Sequence, residues 1–354
     1  MTLIWINLAL VYSLSLVSRV FPLSTTMGSS LVKPNKIIAF FVACLLILVS
    51  GLRKNIGDTY FYKLTYTNVP TYTWEHISSA KEKGFIFLQL LLNKITPDPQ
   101  ILIFTTALLT NALIVMVLYR YSKLFELSIY TYITSGLYII SMNGMRQFLA
   151  GAILFAGTKY LMEGNWKRYM LLVLLASSIH QSALILIPIY FIVRRKAWTK
   201  TTMLLLAAAI FAAIGYNQIS SVIFESVGDY GQYQDFQEGG ANIIRVVVQT
   251  APLLVAYFGR KKLRELFPKS DYIVNMALLG SIFMIISLQN WIFARFIIYF
   301  GLYNVIILSW VVHLFVKREQ KLIYYVLLIC YLAYSYYENV ISLNLNYLSD
   351  YLSF

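Results

Sequence analysis

Blocks of about twenty consecutive apolar residues, repeated along the whole chain, restrict the fold more than any other feature. A transmembrane helix needs roughly 20 apolar residues, and segments of about that length recur between Leu3 and Ile341. Of the 354 residues, 59% are hydrophobic and 12% are charged, whereas a typical soluble domain has about 25% charged residues. The pattern predicts an all-α polytopic membrane protein in which residues 1–354 form a single integral membrane domain.

The basic residues gather in every second connection between the apolar blocks. These connections hold 20 of the 29 lysines and arginines and 5 of the 15 acidic residues. They are Arg19–Lys36, Arg120–Glu126, Gly157–Arg168, Arg194–Lys200, Gly259–Asp271 and Val316–Lys321. Because cytoplasmic loops carry an excess of Lys and Arg, we predict that this set faces the cytoplasm. The net charge of +14 therefore indicates membrane topology, and a nucleic-acid partner is not expected.

This topology predicts about ten transmembrane helices. They are Leu3–Val17, Ile37–Ser50, Ile101–Tyr119, Leu127–Met142, Gln147–Leu161, Met203–Phe224, Ile243–Phe258, Tyr272–Gln289, Phe293–Phe315 and Leu322–Ile341. A long outer segment, Gly51–Gln100, contains a partly apolar helix near Phe85–Leu92.

The segment 168–194 does not fit a simple span, because both of its ends are basic. Between two apolar stretches lies a polar segment, residues 176–182, with the sequence Ala-Ser-Ser-Ile-His-Gln-Ser. Non-helical backbone is tolerated at membrane depth where it lines a cavity. We predict a short re-entrant or broken helical hairpin whose tip carries His180. The alternative is one long tilted span, with Arg194–Lys196 outside.

Three arginines lie at the outer ends of predicted spans, against the positive-inside bias. They are Arg53, Arg146 and Arg295. Ionisable groups at membrane depth usually face the bundle interior and serve a function, and a guanidinium presents a fork of donors to phosphate oxygens. The three together predict an outer anion site. Each alone is also explained by snorkelling to lipid headgroups. Arg245 ranks below them because its neighbours are apolar.

Other side chains on the outer side are candidates for acid–base chemistry and substrate contact. His180, Asp58 and Glu82 are candidate proton acceptors, although a lone histidine also suits a packed helix kink. The candidate substrate contacts are Asn143, Gln147, Tyr60, Tyr299 and Tyr303. The loop Asp229–Asn242, which mixes aromatics, amides and carboxylates, suits carbohydrate, and it equally suits a solvated loop at the membrane interface.

Several familiar motifs are missing from the sequence. It contains no phosphate-binding Gly-rich loop, no His-Glu-x-x-His and no nucleophile elbow. An Asp-x-Asp pair for a metal-bound sugar nucleotide is also missing, which argues against a cytoplasmic nucleotide-sugar enzyme. Cys44 and Cys330 lie inside apolar blocks and suggest neither a disulfide nor a metal site. We therefore predict no metal and no cofactor.

An ordered set of short motifs resembles the EpsG family of Wzy-type polysaccharide polymerases. The motifs are Gly51-Leu52-Arg53, Gly57-Asp58 with Tyr60, Glu82-Lys83-Gly84-Phe85, Asn143-x-x-Arg146-Gln147-x-x-Ala150 and His180-x-Ser182-Ala183-Leu184. The resemblance runs from about Gly51 to Pro188 and continues more weakly to Arg295. One departure is Gly57-Asp58-Thr59, where the order Gly-Thr-Asp is expected, so the carboxylate is displaced by one position.

The resemblance implies a GT-C-like, Wzy-like helical bundle in the bacterial cytoplasmic membrane with its site on the outer, periplasmic side. The implied reaction is a metal-independent transfer of a growing O-antigen or exopolysaccharide chain from undecaprenyl pyrophosphate onto the next lipid-linked repeat unit. Arg146 and Arg295, assisted by Arg53, would bind the pyrophosphate. His180, Asp58 or Glu82, in that order, would be the base. The implied partners are the lipid-linked oligosaccharide, membrane lipids, a flippase and a chain-length regulator.

Two other function classes stay open at this point. A flippase, an oligosaccharide exporter or a small-anion carrier would also use a broken hairpin and buried charges. Transporters of this kind often contain inverted repeats, and the sequence does not suggest a second hairpin in the other half. An O-antigen ligase or acyltransferase would use the same arginines on a different acceptor.

Overall fold

The computed structural model describes residues 1–21, 34–214 and 240–352, and every regular element in those ranges is a helix. The first twelve α-helices are α1 Thr2–Val20, α2 Lys36–Gly51, α3 Thr59–Asn68, α4 Trp74–Ser79, α5 Lys83–Asn93, α6 Gln100–Tyr121, α7 Phe125–Thr134, α8 Leu137–Asn143, α9 Met145–Ala156, α10 Thr158–Glu163, α11 Trp166–Ile179 and α12 Leu186–Val193. The all-α prediction is confirmed for this part of the chain.

Six further α-helices follow. They are α13 Lys200–Ile214, α14 Ile243–Phe258, α15 Arg260–Leu266, α16 Ser270–Ile286, α17 Ile297–Val311 and α18 Lys317–Tyr336. Short 3-10 helices include Gln181–Ile185 and Trp291–Phe296, and a π-helix, Tyr337–Ser342, follows α18.

Asparagine side chains begin several of these helices. The Oδ1 atom of Asn35 accepts from the N–H groups of Ile37 and Ile38 at the start of α2. Asn165 caps α11 and Asn242 caps α14 in the same way. An amide oxygen at this position satisfies N–H groups that have no partner inside the helix. These starts agree with the predicted boundaries to within a few residues.

Contacts divide the chain into two compact units. Unit 1 comprises Met1–Tyr190 and Leu308–Phe354, and unit 2 comprises Phe191–Ile307. The prediction of one integral membrane domain is not tested by this division and stays a prediction.

Unit 1 is a bundle around α6. Helix α6 packs on α2 and α9, α1 packs on α2 and α7, and α11 packs on α9 and α5. The outer helices α3 and α5 join this bundle through buried aromatic and aliphatic side chains, which are Tyr62, Tyr66, Phe85, Leu92, Leu102, Ile103 and Met145. This packing brings the long outer segment against the first turn of α9, where Arg146 lies.

Unit 2 packs α14 and α13 against α16. The ring of Phe283 on α16 stacks on those of Phe296 and Phe300, with centroid distances of 4.6 and 5.7 Å. At one end, the Arg264 guanidinium lies 3.0 Å from an Asp271 carboxylate oxygen.

Fewer helices are long enough to span a membrane than the ten predicted. In the described residues, three pass on length and apolarity: Thr2–Val20, Gln100–Tyr121 and the 24-residue helical run Trp291–Leu314. A fourth span is possible if α14 and α15, bent by 83° at Gly259, count as one.

Helix breaks explain the difference from the prediction. Gly136, with φ of 86°, divides the predicted span Leu127–Met142 into α7 and α8. A break at Gly157 divides Gln147–Leu161 into α9 and α10. Helices α2 and α16, with 16 and 17 residues, are shorter than the ~20 residues of a typical span. Of Met203–Phe224, residues 215–224 lie outside the described part.

The break predicted near His180 is confirmed. Helix α11 ends at Ile179, His180 is extended with φ of −150° and ψ of 115°, and the 3-10 helix Gln181–Ile185 leads into α12. The re-entrant path of this segment stays a prediction.

A break with similar backbone lies in unit 2, at the predicted connection between the spans Tyr272–Gln289 and Phe293–Phe315. Helix α16 ends at Ile286, Asn290 is extended, and the 3-10 helix Trp291–Phe296 leads into α17. This break agrees with the predicted boundary to within a few residues, and the expectation of a single broken hairpin stays a prediction.

Candidate functional site

The Glu82 carboxylate, just before α5, connects two of the predicted site residues in unit 1. Its Oε2 atom accepts a hydrogen bond of 2.6 Å from Nη1 of Arg146. Its Oε1 atom forms a short hydrogen bond with Nδ1 of His180 and also lies 3.4 Å from the backbone nitrogen of Gln181. Glu82 and His180 are 17% and 23% exposed, and Arg146 is 42% exposed. The three side chains therefore form one partly open cluster.

The cluster changes the ionisation of Glu82. Burial acts to raise the pKa of this carboxyl, but the hydrogen bond with His180 and the charge of Arg146 outweigh it, so the pKa lies below its ordinary value of 4.5. Glu82 is therefore ionised at neutral pH.

Glycine at position 84 allows Glu82 to reach His180. A Cβ atom at Gly84 would lie 2.3 Å from the Oγ atom of Ser178, on the last turn of α11. Any larger residue would push the start of α5 away from α11, and Glu82 is the residue immediately before that start. The short contact between the two helices thus depends on Gly84.

The orientation of His180 follows from its backbone and from Glu82. The backbone N–H of His180 donates to the Ala176 carbonyl as the last bond of α11. The Nδ1 atom faces the Glu82 carboxylate, which favours the tautomer with its proton on Nδ1. In that tautomer the other ring nitrogen, Nε2, carries a lone pair that can accept a proton.

The Arg146 guanidinium lies beside a pair of aromatic rings that contact each other edge to face, with their centroids 6.1 Å apart. Its Cζ atom lies 5.7 Å from the ring centroids of both Tyr62 and Phe85. Such cation–π contacts stabilise the cation and fix its plane. The Nε atom is buried without a hydrogen-bond partner. One nitrogen binds Glu82, so the exposed edge of the guanidinium remains able to bind an anion.

The loop after α2 is fixed to the turn that carries Arg146. The Asn143 Oδ1 atom accepts a 3.0 Å hydrogen bond from the backbone N–H of Asp58. Gly57 has φ of 51°, and a Cβ atom there would lie 2.1 Å from this oxygen, so the contact requires glycine. The Asp58 carboxylate is exposed. The side-chain oxygen of Asn143, a predicted substrate contact, thus binds the backbone of Asp58.

The other predicted substrate contacts differ in their exposure. Gln147 is 8% exposed, and its Nε2 atom lies 3.5 Å from the Oγ atom of Ser182. Tyr60 is 68% exposed. Tyr299 and Tyr303 are 3% and 1% exposed, so neither presents an accessible ring to a ligand.

Arg53 is buried rather than open to a ligand. Its side chain is 1% exposed. Its Nη2 atom donates to the Met142 carbonyl at 2.8 Å, its Nε atom donates to Thr59 at 3.1 Å, and its Nη1 atom donates to the Ser50 carbonyl. Burial lowers the pKa of Arg53 to about 10, which leaves it charged at neutral pH. Arg53 therefore has no exposed N–H group that could make the predicted contact with a pyrophosphate.

Arg295 belongs to unit 2, on the 3-10 helix Trp291–Phe296. The side chain is exposed, and its Cζ atom lies 4.8 Å from the Trp291 ring centroid. Its convergence with Arg146 on one pocket stays a prediction. The loop Asp229–Asn242 lies, up to residue 239, outside the described residues.

Sequence reasoning missed two parts of the site. The ring of Tyr62 carries no sequence signal beyond aromaticity, and Phe85 belongs to a family motif in which it was given no role. The segment 344–352 covers the loop after α2, with Lys54 paired to Asp350 at 2.7 Å and the Tyr347 hydroxyl donating to the Val49 carbonyl at 2.8 Å. The polar character of this segment was the only available indication.

In the described residues, no three His, Cys, Asp or Glu side chains gather as metal ligands do.

An all-helical structure with three long apolar helices in its described residues defines a helical membrane protein. A model of the EpsG family matches residues 36–352, and the chain belongs to the EpsG family. This membership associates the chain with polysaccharide biosynthesis. No curated protein and no solved structure matches the chain.

Proposed function

We propose that this protein is a polysaccharide polymerase of the bacterial cytoplasmic membrane. It would transfer a growing O-antigen or exopolysaccharide chain from undecaprenyl pyrophosphate onto the next lipid-linked repeat unit at the outer face. The observation that carries the proposal is the Glu82 carboxylate, which holds an imidazole and a guanidinium side by side. Family membership supports the same class of reaction.

Arg146 would stabilise the leaving group. When the bond between the anomeric carbon and the pyrophosphate oxygen breaks, the electron pair leaves with that oxygen. A guanidinium already oriented by Tyr62, Phe85 and Glu82 binds the developing charge without reorganising. Arg295 would be a second ligand for the pyrophosphate.

His180 would act as the general base. The acceptor hydroxyl oxygen forms the new bond to the anomeric carbon, and its proton passes to Nε2 of His180. Glu82 would orient the ring and stabilise the imidazolium that forms, as carboxylates do beside catalytic histidines. This reassigns Glu82 from candidate base to positioning residue. Asp58, exposed beside Asn143, is the alternative base.

Arg53 would act as a positioning residue in place of a ligand. It connects the end of α2 to the Met142 carbonyl, four residues before Arg146. Tyr60 and Gln147 would contact the glycan. Membrane lipids, a flippase and a chain-length regulator would be the partners in the cell.

The proposal is tested by incubating the purified protein with a lipid-linked repeat unit and separating the products on a gel. A ladder of chain lengths is expected, without added metal. Substrate recovered as single units, from a protein that binds it, would contradict the proposal.

A second candidate is a transporter of the lipid-linked oligosaccharide. The broken helix at His180 suits it as well, since discontinuous helices are common in transporters. Reconstituted vesicles distinguish the two functions, because a transporter moves the lipid-linked unit across the bilayer without lengthening it. A ligase-like transferase would instead join the glycan to a different acceptor.

A further inference from the structure

A long apolar trough lies on the surface of unit 1 between α2 and α6. Its volume is about 600 Å³. The described residues that line it are Lys36, Ala39, Phe40, Ala43, Cys44, Ile47, Leu48, Phe104, Leu108, Ala112, Val115, Met116 and Tyr119. The alanines leave space between larger side chains, and Phe40 and Met116 on the rim are 64% and 52% exposed. The trough therefore opens on the outside of the helix pair.

The two ends of the trough differ in charge. Among the described lining residues, Lys36 carries the single formal charge, and it is exposed at the first position of α2. The Tyr119 hydroxyl lies at the same end and donates to the Pro34 carbonyl at 3.0 Å. The start of a helix favours negative charge in addition to the lysine. The opposite end, at Leu48 and Phe104, is apolar.

The length of the trough matches one leaflet of a bilayer. From Lys36 to Leu48 the helix rises about 18 Å at ~1.5 Å per residue, and half of the hydrocarbon core is about 15 Å. An amphiphile with one acyl chain along α2 and an anionic group at Lys36 fits both the length and the charge.

We propose that the trough binds an anionic glycerophospholipid, with an acyl chain against Ala43 and Ala112 and the phosphate beside Lys36. Lys36 belongs to a segment predicted to be cytoplasmic, so the lipid comes from the cytoplasmic leaflet. A substrate lipid does not fit, because its pyrophosphate would need a cation at the outer end of the trough. This site is independent of the proposed polymerase reaction.

The test is native mass spectrometry of the full-length protein in detergent, titrated separately with phosphatidylglycerol, phosphatidylethanolamine and undecaprenyl phosphate. We expect one phosphatidylglycerol to bind more tightly than either other lipid. Lys36→Ala should weaken it roughly fivefold, because a basic residue near an anionic lipid headgroup contributes about that factor. Ala112→Phe, at an exposed position in the trough, should abolish it.

Leu174→Phe is the matched control, because Leu174 is 58% exposed on α11 in the same unit and lies outside the trough. Equal binding by Ala112→Phe and Leu174→Phe would overturn the site. Equal binding of the two phospholipids, unchanged by Lys36→Ala, would overturn the headgroup assignment. Tighter binding of undecaprenyl phosphate would show that the trough binds the substrate lipid and would overturn the proposal. None of these outcomes changes the result of the ladder assay.

Discussion

The helix breaks at His180 and Asn290 have nearly the same backbone and different surroundings. His180 has φ of −150° and ψ of 115°, and Asn290 has φ of −146° and ψ of 120°. Each residue lies between an α-helix and a 3-10 helix that continues into a second α-helix. The side chain of His180 bonds to Glu82, 98 residues away, whereas Asn290 accepts from the N–H of Ile292, two residues away.

The different partners of the two side chains distinguish a residue that the backbone break requires from one that a reaction would require. Asn290 caps the start of the 3-10 helix that follows it, as capping residues do. A break with this backbone therefore forms with a polar capping side chain or with local geometry alone. His180 leaves its own helix start uncapped and contacts another element. The comparison therefore predicts that the break in unit 1 carries the proton transfer.

The largest expected effect is the difference in polymerisation between the variants His180→Gln and Asn290→Ser. Glutamine keeps much of the volume of histidine and removes the proton acceptor, so polymerisation should fall by about 10²–10⁴-fold. Serine also caps helices well, so Asn290→Ser should stay within a few-fold of the wild type. Both are measured as ladder formation by protein that inserts normally.

Two outcomes would break this comparison. If His180→Gln polymerises within a few-fold of the wild type, His180 is not the base and Asp58 becomes the candidate. If Asn290→Ser loses as much activity as His180→Gln, the two breaks do not differ in function.

Arg146→Lys should have the next largest effect. Lysine keeps the charge but loses the planar fork and the contact of the guanidinium with the Tyr62 and Phe85 rings, so we expect a loss of about 10²–10³-fold in the rate of transfer. Arg295→Lys should lose less, because Arg295 is proposed only as the second ligand of the pyrophosphate. Equal rates for Arg146→Lys and the wild type, measured with the same lipid-linked unit, would make Arg146 a simple headgroup anchor.

Gly84→Ala tests the short contact between α5 and α11. The added methyl group meets Ser178 and should move Glu82 away from His180, and small displacements of this kind cost up to about 10²-fold in rate. The effect should appear in kcat more than in KM. Ser178→Ala in the same chain removes the closest contact and should restore part of the rate. No loss in Gly84→Ala would show that Glu82 does not position His180.

The smallest effect is expected on stability in acid. The pKa of Glu82 is lowered in the folded protein, so its contribution to stability is present above its ordinary value of 4.5 and is lost as the pH falls through the lower, folded value. Glu82→Gln should flatten the loss of thermal stability below about pH 4.5. Glu75→Gln, at an exposed carboxylate, should leave the curve unchanged, and an identical curve for both variants would contradict the ion-pair cluster.

Local patterns predicted the fold better than they predicted the number of membrane spans. Apolar blocks and the basic connections between them located most helices to within a few residues, because the apolar pattern is a property of short stretches of sequence. The breaks at Gly136 and Gly157 were missed, since an isolated glycine in an apolar segment is compatible with a continuous helix. The break at Asn290 was predicted, because it coincides with the connection between the spans Tyr272–Gln289 and Phe293–Phe315.

The candidate site could be predicted as a set of residues but not as an arrangement. His180 was selected at the tip of the predicted hairpin, and Glu82 as a possible proton acceptor on the same side. Arg146 was selected because an ionisable group at the end of an apolar span is costly without a purpose. The same reasoning placed Arg53 and Tyr303 in the site, although the structure buries both. A sequence pattern does not show whether a polar side chain faces a cavity or the backbone of its own protein.

The sequence by itself determined the helical membrane class, the helix break at His180 and the membership of the EpsG family. Each of these depends on residues that are close together or on several short motifs that follow one another along the chain. Only the tertiary structure decided that Glu82 joins Arg146 and His180, which lie 64 and 98 residues away, and that Arg53 is enclosed. These contacts arise from the packing of α3, α5, α9 and α11, and packing over such distances depends on how side chains from separate helices fit together.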